Sequence, residues 1–454
     1  MDQFTVELGQ LDNLGGKYLP GIGQRLHDAL CDIRNACGWI HRAFSTRDSY
    51  NESGPALDAG QPSTRYLYFQ PGNECYYTTD LMRQVFEDNR DNIGLAAQAI
   101  IEIGRRYRQA DGQPDATANY PGVTDHAPEQ RGPDGVDYDA DFAWDSQMSR
   151  HAEALVGLLR EHDDDGIGAA AHLDTRLRRI FDLFSSGDDA CAQVMIHYLS
   201  RAKTTLIQDE HHLFGGAEDC LKGWQGAAAD QFEEYLRDVR DAWDLLIDRI
   251  DSLNLILRSY QALVHEMRRD VLDLVERTLR GIEDAETDRW KVGASIIGAI
   301  AGVAGAAIGG PGGLVLFGSI AASLVGGGVA VAIEAKGADS ELGVIVQCVD
   351  AGEGMLHLID VERAKIEQAL RDLATGVSAK MLTEVRPDRP LLITSPDFRP
   401  ETFGLQDHVQ GRHRVPTDTR DLVPEPTRRA NGPFDQTTVD GQTQDRYPEQ
   451  GPVA

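Results

Sequence analysis

The stretch "FEEYLRDVRDAWDLLIDRIDSLNLILRSYQALVHEMRRDVLDL", Phe232 to Leu274, decides the fold. Its apolar positions Phe232, Leu236, Val239, Trp243, Leu246, Ile250, Leu253, Leu257, Tyr260, Val264, Met267, Val271 and Leu274 fall alternately four and three residues apart. That spacing keeps one apolar seam on one face of an α-helix. With its flanks, the pattern predicts a single helix over about 227–283, roughly 85 Å long at 1.5 Å per residue. A helix of that length must lie against others. The chain therefore reads as all-α, an elongated antiparallel helical bundle, in which Phe232, Leu236, Val239, Trp243, Leu246 and Ile250 begin the packing seam.

Upstream, Ile22, Leu26, Leu30, Ile33, Cys37, Ile40 and Phe44 recur at helical spacing. A Gly-, Pro-, Ser- and Asn-rich loop follows from Ser45 to Thr78. Thr79 or Asp80 then caps a second helix with the stripe Met82, Phe86, Ile93, Ala96, Ile100, Ile103 and Tyr107. Residues 1–111 thus form a helical hairpin. Residues 112–143 carry the Pro, Gly and Asp content of a flexible acidic linker. Helical patterns resume over 144–290, broken at Asp163–Gly166, at the paired glycines 215 and 216, and at "KGWQG", Lys222–Gly226.

Downstream, residues 292–333 carry no charge and consist largely of Gly, Ala, Ile and Val. The segment 291–335 divides at "GGPGG" around Pro311 into two apolar halves, each about long enough to cross a hydrocarbon core of roughly 30 Å. Gly298, Gly302, Gly305 and Gly309 include two GxxxG spacings, which let helix backbones approach closely. Three readings stand: a hairpin that inserts into a lipid membrane, a resident two-span anchor, and a Gly/Ala-rich core hairpin. An amphipathic helix follows over 336–383. Residues 384–454 hold ten of the nineteen prolines and read as a disordered tail.

With 73 acidic against 44 basic residues in 454, the net charge is −29. A nucleic-acid backbone repels such a chain, so nucleic acid is excluded as a partner. The six cysteines, none at CxxC spacing, permit a bridge or two without requiring any. The opening "MDQFTVELGQLDNL" has no basic n-region before an apolar run, which is not the pattern of a cleavable secretory signal.

Two short motifs stand out by position. Trp224 with Gly226 makes a WxG tripeptide at a helix turn, a motif expected by chance about 0.5 times in this composition. There Gly223 and Gly226 allow a sharp reversal, and Trp224 serves as a large, partly exposed cap. Tyr107 with Asp111 fits YxxxD at the end of the second helix, where ring and carboxylate can both be offered to a receptor. A second match, Tyr76 with Asp80, precedes a helix start, where an acidic residue is explained by the dipole.

Together these motifs resemble the WxG superfamily of type VII (ESX) secretion substrates, and within it the fused PE and PPE arrangement. The resemblance covers roughly residues 1–285, with a PE-like hairpin ending in YxxxD and a PPE-like bundle carrying WxG at a turn. It implies that Trp224 and Gly226 come together with Tyr107 and Asp111 at one end of the bundle as a bipartite export signal. It further implies a secretion ATPase or chaperone as partner and export without a cleavable signal peptide, to the medium, cell surface or membrane. The long seam also suits a homo-oligomer or a helical partner.

No catalytic constellation accompanies these features. "DEHHLF" sets Asp209, Glu210, His211 and His212 side by side, but such neighbours diverge on a helix, and no HExxH or Cys/His pattern predicts a metal. "GGPGG" lacks the Lys-Ser/Thr of a phosphate loop. The expectation is a non-enzymatic protein without cofactor or metal. The rival reading is a helical adaptor that is never exported and is held in the membrane by two spans.

Overall fold

The computed structural model describes residues 7–44, 65–114, 119–125, 147, 150–151, 153–159, 169–184, 187–225, 227–283, 289–293, 332–336 and 341–381. Almost all of them are helical. In chain order they form α1 (Leu8–Asn13), a π-helical turn (Leu14–Tyr18), α2 (Leu19–Cys37), α3 (Ile40–Phe44), α4 (Arg65–Ala110), α5 (Ala169–Phe184), α6 (Asp189–Gln208), α7 (Glu210–Leu221) and α8 (Ala227–Glu283). Two short strands, β1 (Arg289–Gly293) and β2 (Ala332–Lys336), precede the last helix, α9 (Glu341–Met381). The loop 45–64, most of the 112–143 linker, Gly226, the apolar interior 294–331 and the tail from 382 lie outside the described residues, and with them Gly298, Gly302, Gly305, Gly309 and Pro311.

The long helix α8 spans the residues its seam predicts. Phe232, Leu236, Val239, Trp243, Leu246 and Ile250 are all buried. Burying each such side chain contributes about 1.5–3 kcal/mol relative to exposure. The partners that cover the seam are α6 and α9. Along α6 and α8, Lys203 pairs with Asp251, while Asp189, at the other end of α6, pairs with Arg268 at 2.8 Å, so residue numbers rise along one helix as they fall along the other. The same opposed order holds for the N-terminal helices: Asp12 meets Arg108, a side chain at Gly23 would touch Ile93, and Arg34 meets Glu87 at 2.6 Å. Arg201 reaches from α6 to Asp32 of α2 at 2.8 Å, and Thr78 of α4 donates to the Leu370 carbonyl of α9 at 3.3 Å. One continuous apolar core thereby runs through α2, α4, α6, α8 and α9.

Five boundaries differ from the sequence reading, each for a local reason. The first helix begins at Leu8 rather than near Ile22, because Leu11, Leu14 and Leu19 continue the buried stripe across a π-helical turn at Gly15 and Gly16. The second helix begins at Arg65, with Pro71 inside it. Thr79 and Asp80 therefore cap nothing: Thr79 Oγ1 donates back to the Cys75 carbonyl at 2.9 Å and Asp80 accepts from Arg83 and Gln84. Gly215 and Gly216 do not stop a helix but lie within α7, and the break comes instead at Asp209.

The fourth difference is in the linker. Its stretch 119–125 is laid onto α2 and α4: a methyl group at Gly94 would meet Tyr120 Oη at 2.9 Å, and Thr124 N donates to Gln24 Oε1 at 2.7 Å. The fifth concerns the apolar segment, whose ends are strand rather than helix. β1 and β2 pair antiparallel, with Lys291 opposite Glu334 and Val292 opposite Ile333, so the two ends of 294–331 leave side by side. Within α9, the stretch Leu342–Thr375 contains an 18-residue window of mean hydropathy 1.4, long and apolar enough to cross a membrane, and 44% of that window is buried inside the protein.

Candidate functional site

One end of the molecule carries both sequence motifs, and three pieces build it: the last turn of α4, the short α1, and the turn between α7 and α8. The α4 terminus is set by Gly112, whose φ of 66° only glycine adopts readily. Gln113 N donates to the Arg108 carbonyl at 2.8 Å and Gly112 N to that of Gln109 at 3.2 Å, a Schellman closure. Tyr107 and Asp111 therefore occupy the final turn, and Asp111 N bonds to the Tyr107 carbonyl at 3.0 Å. Asp111 is exposed, while Tyr107 is half-buried against the core.

Helix α1 lies between that turn and the tryptophan. On one side the buried Arg108 pairs with Asp12, and a methyl at Gly104 would touch Leu11 Cβ at 3.8 Å. On the other, Glu7 N donates to the Gly223 carbonyl at 2.9 Å, and a methyl at Gly223 would meet Gln10 Cδ at 2.7 Å. A side chain at position 223 would therefore have to displace the Gln10 amide. Trp224 N closes that turn on the Leu221 carbonyl at 2.9 Å.

The indole itself is not the partly exposed cap expected from sequence. Trp224 is 3% exposed and its ring lies 6.2 Å from that of Phe232, which lies 5.5 Å from Tyr235. Among the described residues the buried Trp224 Nε1 and Tyr235 hydroxyl have no hydrogen-bond partner, and burial pushes the Tyr235 hydroxyl pKa up. Trp224 is a wedge in the α7–α8 joint. Among the groups this end presents to solvent are the Asp111 carboxylate and the exposed ion pair Lys222–Asp219, 2.6 Å long. One turn before Tyr107 on α4, Glu102 accepts from Arg105 at 2.7 Å and Arg106 at 2.9 Å, and the Arg105 bond leads in holding its carboxyl below the usual range.

The second YxxxD match is elsewhere, in the middle of α4. "DEHHLF" diverges as helix neighbours do: Asp209 pairs with Arg25, Glu210 faces Arg240, and His212 meets the Tyr18 ring edge-on at 6.0 Å. None of the six cysteines forms a disulfide.

A cluster the sequence reading missed lies where the docked linker crosses α2. His27 Nε2 is 3.1 Å from Asp125 Oδ1 and 3.7 Å from Cys31 Sγ, and Arg90 Nη1 stands 3.3 Å from His27 Nδ1. His27 and Cys31 stand one helical turn apart, a spacing visible in "HDALC", but the third member is 98 residues from His27 and no local pattern announces it. Comparison with protein-family models, with curated proteins and with solved structures returned no match.

Proposed function

We propose that this chain is a substrate of type VII (ESX) secretion, exported as an elongated antiparallel helical bundle and acting without catalysis of its own. The observation that carries this reading is the common position of Tyr107–Asp111 and Trp224, on either side of α1. An exposed carboxylate on a glycine-terminated last turn, next to a rigid aromatic turn, is a compact feature for a secretion ATPase or chaperone to read. In this reading the apolar segment 294–331 is the effector part. Its ends leave together from the β1–β2 ladder, so it enters a lipid membrane as a hairpin and both ends stay on one side.

Asp111 tests the signal better than Trp224. Deleting a buried indole costs about 3–5 kcal/mol and confounds export with folding, whereas Asp111 is exposed. Asp111→Ala is expected to abolish appearance of the full-length chain in the medium while leaving its circular dichroism unchanged. Export at the wild-type level from this variant would sink the proposal. Retention of wild type and variant alike in a carbonate-resistant membrane pellet would establish the rival, a membrane-anchored adaptor.

A further inference from the structure

We propose that His27, Cys31 and Asp125 form a zinc site that clasps the linker to α2. All three ligand atoms lie within 4.8 Å of one another. A tetrahedral zinc with ordinary Zn–S and Zn–N bonds sets its sulfur and nitrogen ligands about 3.5 Å apart and its nitrogen and oxygen ligands about 3.3 Å apart. The corresponding separations here are 3.7 and 3.1 Å, so small side-chain movements close the site. His27 and Cys31, four residues apart, share one face of α2, and the extended stretch that ends at Asp125 brings the carboxylate over that face. His27 is 3% exposed and Asp125 84%, which leaves the fourth position open to water.

The neighbours of the imidazole define the protons that move. Arg90 can only donate, so His27 Nδ1 accepts from it and Nε2 carries the hydrogen that bonds Asp125. When zinc takes Nε2, that proton is relocated to Nδ1 through solvent, the Cys31 thiol releases its proton to solvent, and the ion binds one neutral imidazole, one thiolate and one carboxylate. Arg90 then faces a donor and must turn away. It has an anchor for this, since its Nε and Nη2 already donate to Asp91 Oδ1 at 2.9 and 2.7 Å. Metal-bound histidines ordinarily donate their second nitrogen to an acceptor, so Arg90 weakens the site and sets its affinity.

Titration of the full chain with zinc, and with cobalt as a spectroscopic probe, tests this. One metal per chain is expected, with a thiolate-to-cobalt charge-transfer band that disappears in Cys31→Ser and an affinity about tenfold lower in Asp125→Asn. Arg90→Gln supplies an acceptor for Nδ1 and is expected to tighten binding about tenfold. Cys31 and Asp125 are not core residues, so these variants stay folded where His27→Asn is at risk. No charge-transfer band in the folded wild type would overturn the proposal, as would a band and affinity unchanged in Cys31→Ser and Asp125→Asn.

Discussion

Gly215 and Gly216 show how little a residue's type says without its neighbours. In sequence the pair reads as a helix stop, yet both lie in α7. A methyl at Gly215 meets nothing within 4 Å, whereas one at Gly216 would lie 2.5 Å from Tyr18 Cζ and 2.7 Å from Cδ1. Gly216 is there to admit the Tyr18 ring, a partner nearly two hundred positions away that no local pattern contains. Gly215→Ala is expected to stabilise the protein by about 0.5–1 kcal/mol through helix propensity. Gly216→Ala is expected to destabilise it by about 1–3 kcal/mol, as overpacking does. Urea denaturation of the two variants should move the midpoint in opposite directions. Glu102 provides a pH test at the same scale. Its folded pKa lies below the unfolded value, first through the Arg105 bond, so its contribution is present above the unfolded pKa and lost as pH falls through the folded one. Glu102→Gln should lower stability at neutral pH by about 0.5 kcal/mol, and the difference from wild type should close as the pH falls below the ordinary glutamate range and through the lowered folded pKa.

At the scale of elements, legibility followed periodicity. The α8 seam was readable to its ends because thirteen apolar positions repeat without a miss. Helix α1 was not, because Gly15 and Gly16 interrupt the pattern and the π-helical turn shifts its phase. Nor was the start of α4, where a proline suggests a boundary that tertiary packing overrides. The apolar segment was misread at its ends for a different reason: Gly, Ala, Val and Ile fit helix and strand alike, and the ladder register is set by pairing across the segment. That ladder carries its own prediction. Since Gly293 stands opposite Ala332, residues 294–331 can be replaced by a two-residue Asn-Gly turn without altering the spacing of α8 and α9. The shortened chain should keep its helical circular dichroism and thermal midpoint but lose leakage of zwitterionic liposomes, whose surface does not repel a chain of net charge −29. Loss of helicity on deletion would mean that the segment belongs to the core of the bundle.

For the whole molecule, the YxxxD and WxG motifs were visible as residue types, but their nearness depends on α1, which joins them and carries no motif. The 1–111 hairpin and the later bundle are also tied together by polar contacts. Asp32 of the hairpin has its cation in Arg201, the Ala43 carbonyl accepts from Asp188 N at 3.0 Å and from Tyr260 Oη at 2.8 Å, and Thr78 reaches Leu370. Separating the pieces would expose the apolar faces of α2 and α4 and take Arg201 from the Asp32 carboxylate, a loss too large for a marginally stable domain to absorb. The full chain is therefore expected to unfold in one transition, with far-ultraviolet circular dichroism and tryptophan fluorescence coinciding, since Trp39 reports on the first part and Trp224 and Trp243 on the second. Residues 1–111 alone should show no cooperative transition. If that fragment instead melts cooperatively, the hairpin is a unit of its own, and Asp111 and Trp224 can part without unfolding either.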